Sequence, residues 1–158
     1  MKGSFKRGSA GMFRQRAEQF RKRLPEIAQA GAKDAELHAK RGLVINVYGT
    51  EPGEHYVRTG LLLREVYASG QANGSSLGIL VGDRAEYASD IEYGSGPHAL
   101  TPQQLERYLN TLKPGGLLRF GRSGQAYLLP GPYIGPAIHY ARYRTAERVR
   151  ALMRELWQ

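Results

Sequence analysis

The residues closest to a chemical site in this chain are carboxylates. The stretch "EYASDIEYGSGP", Glu86 to Pro97, sets Glu86, Asp90 and Glu92 beside Tyr87 and Tyr93. On a helical turn Glu86 and Asp90 stand at i and i+4 and share a face, as a general acid–base pair requires. The stretch holds no histidine, and the chain has no cysteine, so thiolate chemistry and disulfides are excluded. His38, His55, His98 and His139 are scattered, none with a His-x-x-x-His companion, and their spacing points to no metal. There is no G-x-S-x-G elbow, and "GSGP" reads as a turn. "GSSLGILVG" lacks both the strand-then-helix context and the lysine of a phosphate loop. The expectation is a chain without catalytic residues, metal or cofactor. A hydrolase or nuclease built on Glu86, Asp90 and His98 is the weakest of three readings.

Arginine and tyrosine point elsewhere. There are ten tyrosines, and they mix most densely with arginine in "HYARYRTAERVR", 139–150, which includes Tyr140, Arg142 and Arg144. Tyr and Arg are the side chains that interface cores favour. Aromatic residues among cations also suit single-stranded nucleic acid. Both readings stand at this point.

The net charge of +9 brings nucleic acid forward as a partner. The excess is terminal: residues 1–41 carry eleven Lys or Arg against four acids, while the middle of the chain is nearly neutral. Much of that charge falls on faces expected to be solvated helix. At 158 residues, 41% hydrophobic and 23% charged, the composition is that of one globular domain able to bury a core. No apolar run approaches a membrane span, and the basic start lacks the apolar segment of a secretory signal.

These residues must be positioned by a small set of elements. Residues 1–11 read as a flexible basic arm, with the domain proper over 12–158. From Met12, the residues Phe13, Ala17, Phe20, Leu24, Ile27 and Ala28 keep helical spacing. Pro25 should kink or divide that helix, and Gly42 should cap it in the left-handed conformation. "LVINVYG", 43–49, is β-branched and predicts a strand. "RTGLLLREVYASG", 58–70, fits a short helix or a strand. With "LGILVGD", 77–83, it predicts a hairpin around "QANGSS".

One or two helical turns are expected between Ala85 and Tyr93. "TPQQLERYLNTLKPGG" predicts an inserted helix near 102–112, with Thr101 as cap and Pro102 at the first position. Residues 117–132 read as two short strands or an extended excursion. Ile134 to Trp157 is a long amphipathic helix. The fold expected is α+β: long N-terminal and C-terminal helices on a small, mostly antiparallel sheet.

Three segments, taken in order, resemble the neck or minor tail-component family of long-tailed bacteriophages, the lambda Z-like head-to-tail joining group. Thr59, Gly60 and Leu61 match its "P-x-x-T-G-x-L" piece. Tyr87, Ala88, Ile91, Glu92, Gly94 and Ser95 match "Y-A-x-x-V-E-x-G-T". Pro132, Tyr133, Ile134, Pro136 and Ala137 match "P-F-L-x-P-A" at the start of a C-terminal helix. The match runs over roughly 56–157. Glu65 stands where a small polar residue is usual, Ser95 replaces Thr, and segment 98–131 is longer than the family's interval.

The resemblance implies a virion structural protein without enzymatic activity, assembled in the bacterial host cytoplasm and located at the head–tail junction. Its partners would be other copies of itself, in a ring of six or twelve, together with connector or head-closure proteins and tail terminator or tail tube proteins. Genomic DNA would pass through the channel with at most weak, non-specific contact, and no membrane is involved. The expected subunit or partner interface is Tyr87, Asp90, Glu92, Tyr93, Tyr133, Tyr140, Arg142 and Arg144. Glu92 is expected to pair with an arginine or to cap a neighbouring helix. The alternative is a small basic nucleic-acid-binding protein using the Arg–Tyr helix and the N-terminal arm.

Overall fold

The computed structural model describes residues 7–49, 59–120 and 129–158. Its spine is α1, Arg7–Leu43, 37 residues long and so about 55 Å from end to end. One face of α1 is a run of small residues, Ala28, Ala32, Ala35 and Ala39, nearly inaccessible to solvent. Small side chains let other backbones come close, and two elements use this. α5, Ile134–Trp157, packs antiparallel along α1. The β1–β2 hairpin, Val66–Asn73 and Ser76–Asp83, lies across it beside α5. The ends of the helix pair are tied by Arg23–Glu155 at 2.6 Å and by Phe13 and Phe20 edge-on to Trp157.

The hairpin is a two-stranded antiparallel sheet whose register pairs Val66 with Asp83 and Asn73 with Ser76. Only Gly74 and Ser75 remain as the loop, tighter than the six residues expected. Gly74 takes φ 60° at the first loop position, as a tight hairpin requires. Gly70 is where the sheet meets the spine: a Cβ there would lie 2.0 Å from the Ala28 carbonyl oxygen. Gln29 seals the contact by donating from Nε2 to the Gly70 carbonyl at 2.8 Å.

Around this layer sit α2 (Leu61–Glu65), α3 (Ala88–Tyr93), a 3-10 turn (Gly96–His98) and α4 (Pro102–Thr111). The α+β architecture with a long helix at each end is as expected. α4 begins with the Thr101 cap, Pro102 and a complete capping box with Gln104. The ambiguous 58–70 stretch is both things in turn, α2 and then β1.

Several expectations are corrected. Residues 43–49 are not a strand: α1 runs on into a π-helical turn, Val44–Tyr48. Leu43 is fully buried and Val47 and Tyr48 pack on the core, so tertiary packing overrides the β-branched preference. Pro25 does not divide α1. It is exposed, so the carbonyl left without its amide donor faces solvent. Gly42 is no cap. It lies inside α1, where a Cβ would come within 2.9 Å of the Tyr133 Cβ, so its role is to admit that tyrosine.

The helix is already formed over 7–11, where an arm was expected. The first six residues of that arm, His55, and residues 121–128 of the expected excursion lie outside the described residues. Residues 116–120 and 129–132 carry no regular strand. Among the described residues no helix is long and apolar enough to cross a membrane.

Gly70→Ala should destabilise the fold by about 3 kcal/mol, the upper range for forcing atoms into a packed contact. Gly78→Ala, where a Cβ would meet nothing within 4 Å, should stay within about 0.5 kcal/mol in urea titration.

Candidate functional site

A helix start leaves backbone amides without acceptors, and the start of α5 is buried. The usual remedy is a Ser, Thr, Asp or Asn at the N-cap, but Tyr133 occupies that position and its side chain makes no cap. Glu92 of α3 does the work from 41 residues away. Its Oε2 accepts from the Tyr133 amide at 2.7 Å and the Ile134 amide at 2.9 Å, and its Oε1 accepts from the Gly135 amide at 2.8 Å. The next residue, Pro136, has no amide to satisfy. Ala137 then makes the first helical bond, to the Tyr133 carbonyl at 3.3 Å. Every backbone amide from 133 to 137 is thus placed.

The local sequence fits this arrangement residue by residue. At Gly135 a Cβ would stand 3.1 Å from Glu92 Oε1 and 3.0 Å from Leu109, so a side chain there would crowd the carboxylate. A negative charge at a helix N-terminus is favoured by the helix dipole. Tyr133 is fully buried, and its hydroxyl donates to Asp83 Oδ2 at 2.8 Å, at the end of β2. Asp83 Oδ1 accepts from the Ala85 amide at 2.8 Å, holding the chain as it leaves the strand. The Gly131 amide donates to the Ile91 carbonyl at 2.8 Å. Asn46, in the π-helical turn, donates from Nδ2 to the carbonyls of Leu118 and Pro132. Gly60 at φ 71° opens α2 and Gly94 at φ 79° ends α3, both in backbone conformations that favour glycine.

Burial pushes the Glu92 carboxyl above its usual range, and the three amide donors oppose that rise. Burial and the Asp83 acceptor push the Tyr133 phenol upward, so it stays a donor at neutral pH. His38, stacked on Tyr140 at 4.7 Å with Nε2 3.2 Å from the Gly116 carbonyl, is pushed below its usual value mainly by burial.

The expected interface residues separate into two groups. Glu92 and Tyr133 are inside the joint, and Tyr87 is half-buried against the core. Tyr93 is half-buried, with its carbonyl accepting from the Leu100 amide. Tyr140 is half-buried on His38. Arg144 pairs with Glu147 at 2.8 Å and lies 4.0 Å from Asp34. Asp90 and Arg142 are exposed. Of the motif residues, Leu61, Tyr87, Ala88, Tyr133, Ile134 and Ala137 share one apolar cluster. Pro136 is buried beside it, and Thr59 makes a long 3.4 Å contact with the Leu61 amide.

Sequence reasoning missed Asp83, Asn46 and Asp34. Asp34 takes Arg148 at 2.6 Å across the helix pair. Among the described residues no group of three or more His, Asp or Glu side chains could hold a metal ion. No family model, no curated protein and no solved structure matches this chain.

Glu92→Ala leaves three buried amides without acceptors, so the stability loss should be about 3 kcal/mol or more. Glu92→Gln keeps one acceptor oxygen and should lose less. Because burial raises the folded-state pKa, stability falls as pH rises from the ordinary carboxylate range through that raised value. Glu92→Gln lacks this slope. Its deficit against the parent should therefore narrow as pH rises through that window, read by urea unfolding across a pH series.

Proposed function

We propose that this chain is a structural protein of a long-tailed bacteriophage virion. In this reading it forms a ring of identical subunits at the head–tail junction, joining the connector to the tail. The observation that carries the reading is the convergence of the three segments on which the family resemblance rests. Leu61 of the first, Tyr87, Ala88 and Ile91 of the second, and Tyr133, Ile134 and Ala137 of the third lie in one apolar core cluster, and Glu92 of the second caps the helix that the third begins. Three short patterns separated by tens of residues are expected to meet this way if they describe one structural requirement.

The joint consumes the acceptor capacity of Glu92 on backbone amides, which suits a part that must hold an angle between elements. It leaves the exposed Glu86 and Asp90 on and before α3 at one end of the molecule. The arginine-rich start of α1, with exposed Arg14 and Arg21, reaches past Trp157 at the other. The Glu86 and Asp90 carboxylates of one copy and the arginines at the start of another copy's α1 would give a head-to-tail contact, the kind that closes a ring when the rotation allows. The nucleic-acid reading is weakened where it was strongest, since Arg144 and Arg148 are engaged by Glu147 and Asp34.

Mass photometry of the purified chain, at low and moderate salt and with or without duplex DNA, tests the proposal. Closed oligomers of six or twelve copies, indifferent to DNA, are expected. Glu86→Arg combined with Asp90→Arg should raise the concentration for half-assembly about five-fold at low salt, and less at moderate salt, as screened charges do. A monomer that binds DNA and releases it steeply as salt rises would overturn the reading.

A further inference from the structure

α4 is held lightly. Leu105 is its one buried residue, and with Leu109 it meets α5 at Gly135. The turn that follows, 112–117, closes through the Gly116 amide on the Lys113 carbonyl at 2.9 Å. It rests on a stack of two rings. His38 of α1 lies on Tyr140 of α5, with centroids 4.7 Å apart and planes 27° from parallel. Gly115, at φ 77°, sits over that tyrosine, where a Cβ would stand 3.7 Å from its ring. Nε2 of His38 is 3.2 Å from the Gly116 carbonyl, and the residue is only 4% exposed. A carbonyl can only accept, so the neutral ring carries its proton on Nε2.

A second proton would go to Nδ1 and place a full charge in this enclosure. Burial opposes that charge and holds the imidazole below its ordinary value. The Gly116 carbonyl pulls the other way, and Arg41 adds to the opposition. The remaining charges on the packed elements are committed or of the wrong sign. On α1, Asp34 takes Arg148 and Glu36 takes Lys40. On α5, Arg144 is held by Glu147, and the turn itself brings the exposed Lys113. An imidazolium must therefore reach water. Of the two elements that cover it, Tyr140 belongs to a helix packed along α1, whereas the turn is tied to a helix with one buried side chain.

We propose that His38 is a proton-operated latch for α4. Neutral, it grips the Gly116 carbonyl and keeps the turn down on Tyr140. Protonated at Nδ1, it lets the turn and α4 lift from the α1–α5 pair while the pair stays closed. The sign follows from linkage: the docked form disfavours the proton, so docking is complete above the ordinary histidine range and is lost as pH falls through the lowered value. The latch works within one chain and is independent of the ring reading.

Hydrogen exchange of the purified chain, corrected for the intrinsic effect of pH, tests it between about pH 7.5 and about pH 5. A lone helix of this length is marginal in water, so its amides exchange once it lifts. Protection of the amides of 106–111 and of Gly116 should fall about ten-fold more than that of 145–152 in α5. In His38→Gln, whose side-chain amide can still donate but does not titrate, that extra fall should be absent. In the unmodified chain, an NMR titration should move the His38 ring and the Gly116 amide with one midpoint. Protection of α4 that stays constant over this range, an equal loss in His38→Gln, or separate midpoints would overturn the latch.

Discussion

The carboxylate of Glu92, shut inside the protein against the first three amides of α5, is the constraint on which the rest of this structure depends. A buried helix start without acceptors is costly, and the usual local cap is missing because Tyr133 occupies its place. Supplying the acceptor from α3 solves the local problem and creates a long-range one: the first turn of α5 is closed only when α3 is in place. Gly94 must turn the chain away from α3, Gly135 must leave room for the oxygen, and Pro136 removes the amide that Glu92 could not reach. Tyr133 then extends the same joint to Asp83 at the end of β2.

α1 supplies the surface on which that joint is assembled. Its buried alanines, with Gly31 and Gly42, form a smooth track that takes a strand hairpin on one side and a helix on the other. At Gly31 a Cβ would strike both Ile79 of β2 and Thr145 of α5. The surface ion pairs along the helix seam add little by themselves, since exposed pairs are worth about 0–1 kcal/mol. Arg148 with Asp34 is the better placed of them, being more enclosed than Arg23 with Glu155. The stability of the arrangement therefore rests on close apolar packing and on one buried cap.

Much of this was legible in the residues. The amphipathic spacing of 134–157 and the Thr101–Pro102 start of α4 each reflect local chemistry, and each element stands where that chemistry puts it; the hairpin is where it was expected, but it turns on Gly74 and Ser75 with Asn73 still in the ladder. Glu92 was expected either to pair with an arginine or to cap a neighbouring helix, and it does the second, on a helix that starts 41 residues further on. What misled were residues whose roles are set by distant partners. Gly42 looks like a terminator until Tyr133 is brought against it. The β-branched run at 44–47 looks like a strand, yet the joint needs Asn46 on a helical turn to hold the carbonyls of Leu118 and Pro132. Pro25 is tolerated because its face of α1 is wet. The family resemblance put Tyr133 and Glu92 at a subunit or partner interface, and only the packing shows that they face inward.

Amide hydrogen exchange at Tyr133, Ile134 and Gly135, resolved by NMR in the unmodified chain, tests the central claim most directly. If Glu92 holds these amides, they should exchange as slowly as the buried heart of α5, through global unfolding and not through local fraying. Exchange at the rate of an open helix end, while the middle of α5 stays protected, would contradict the account.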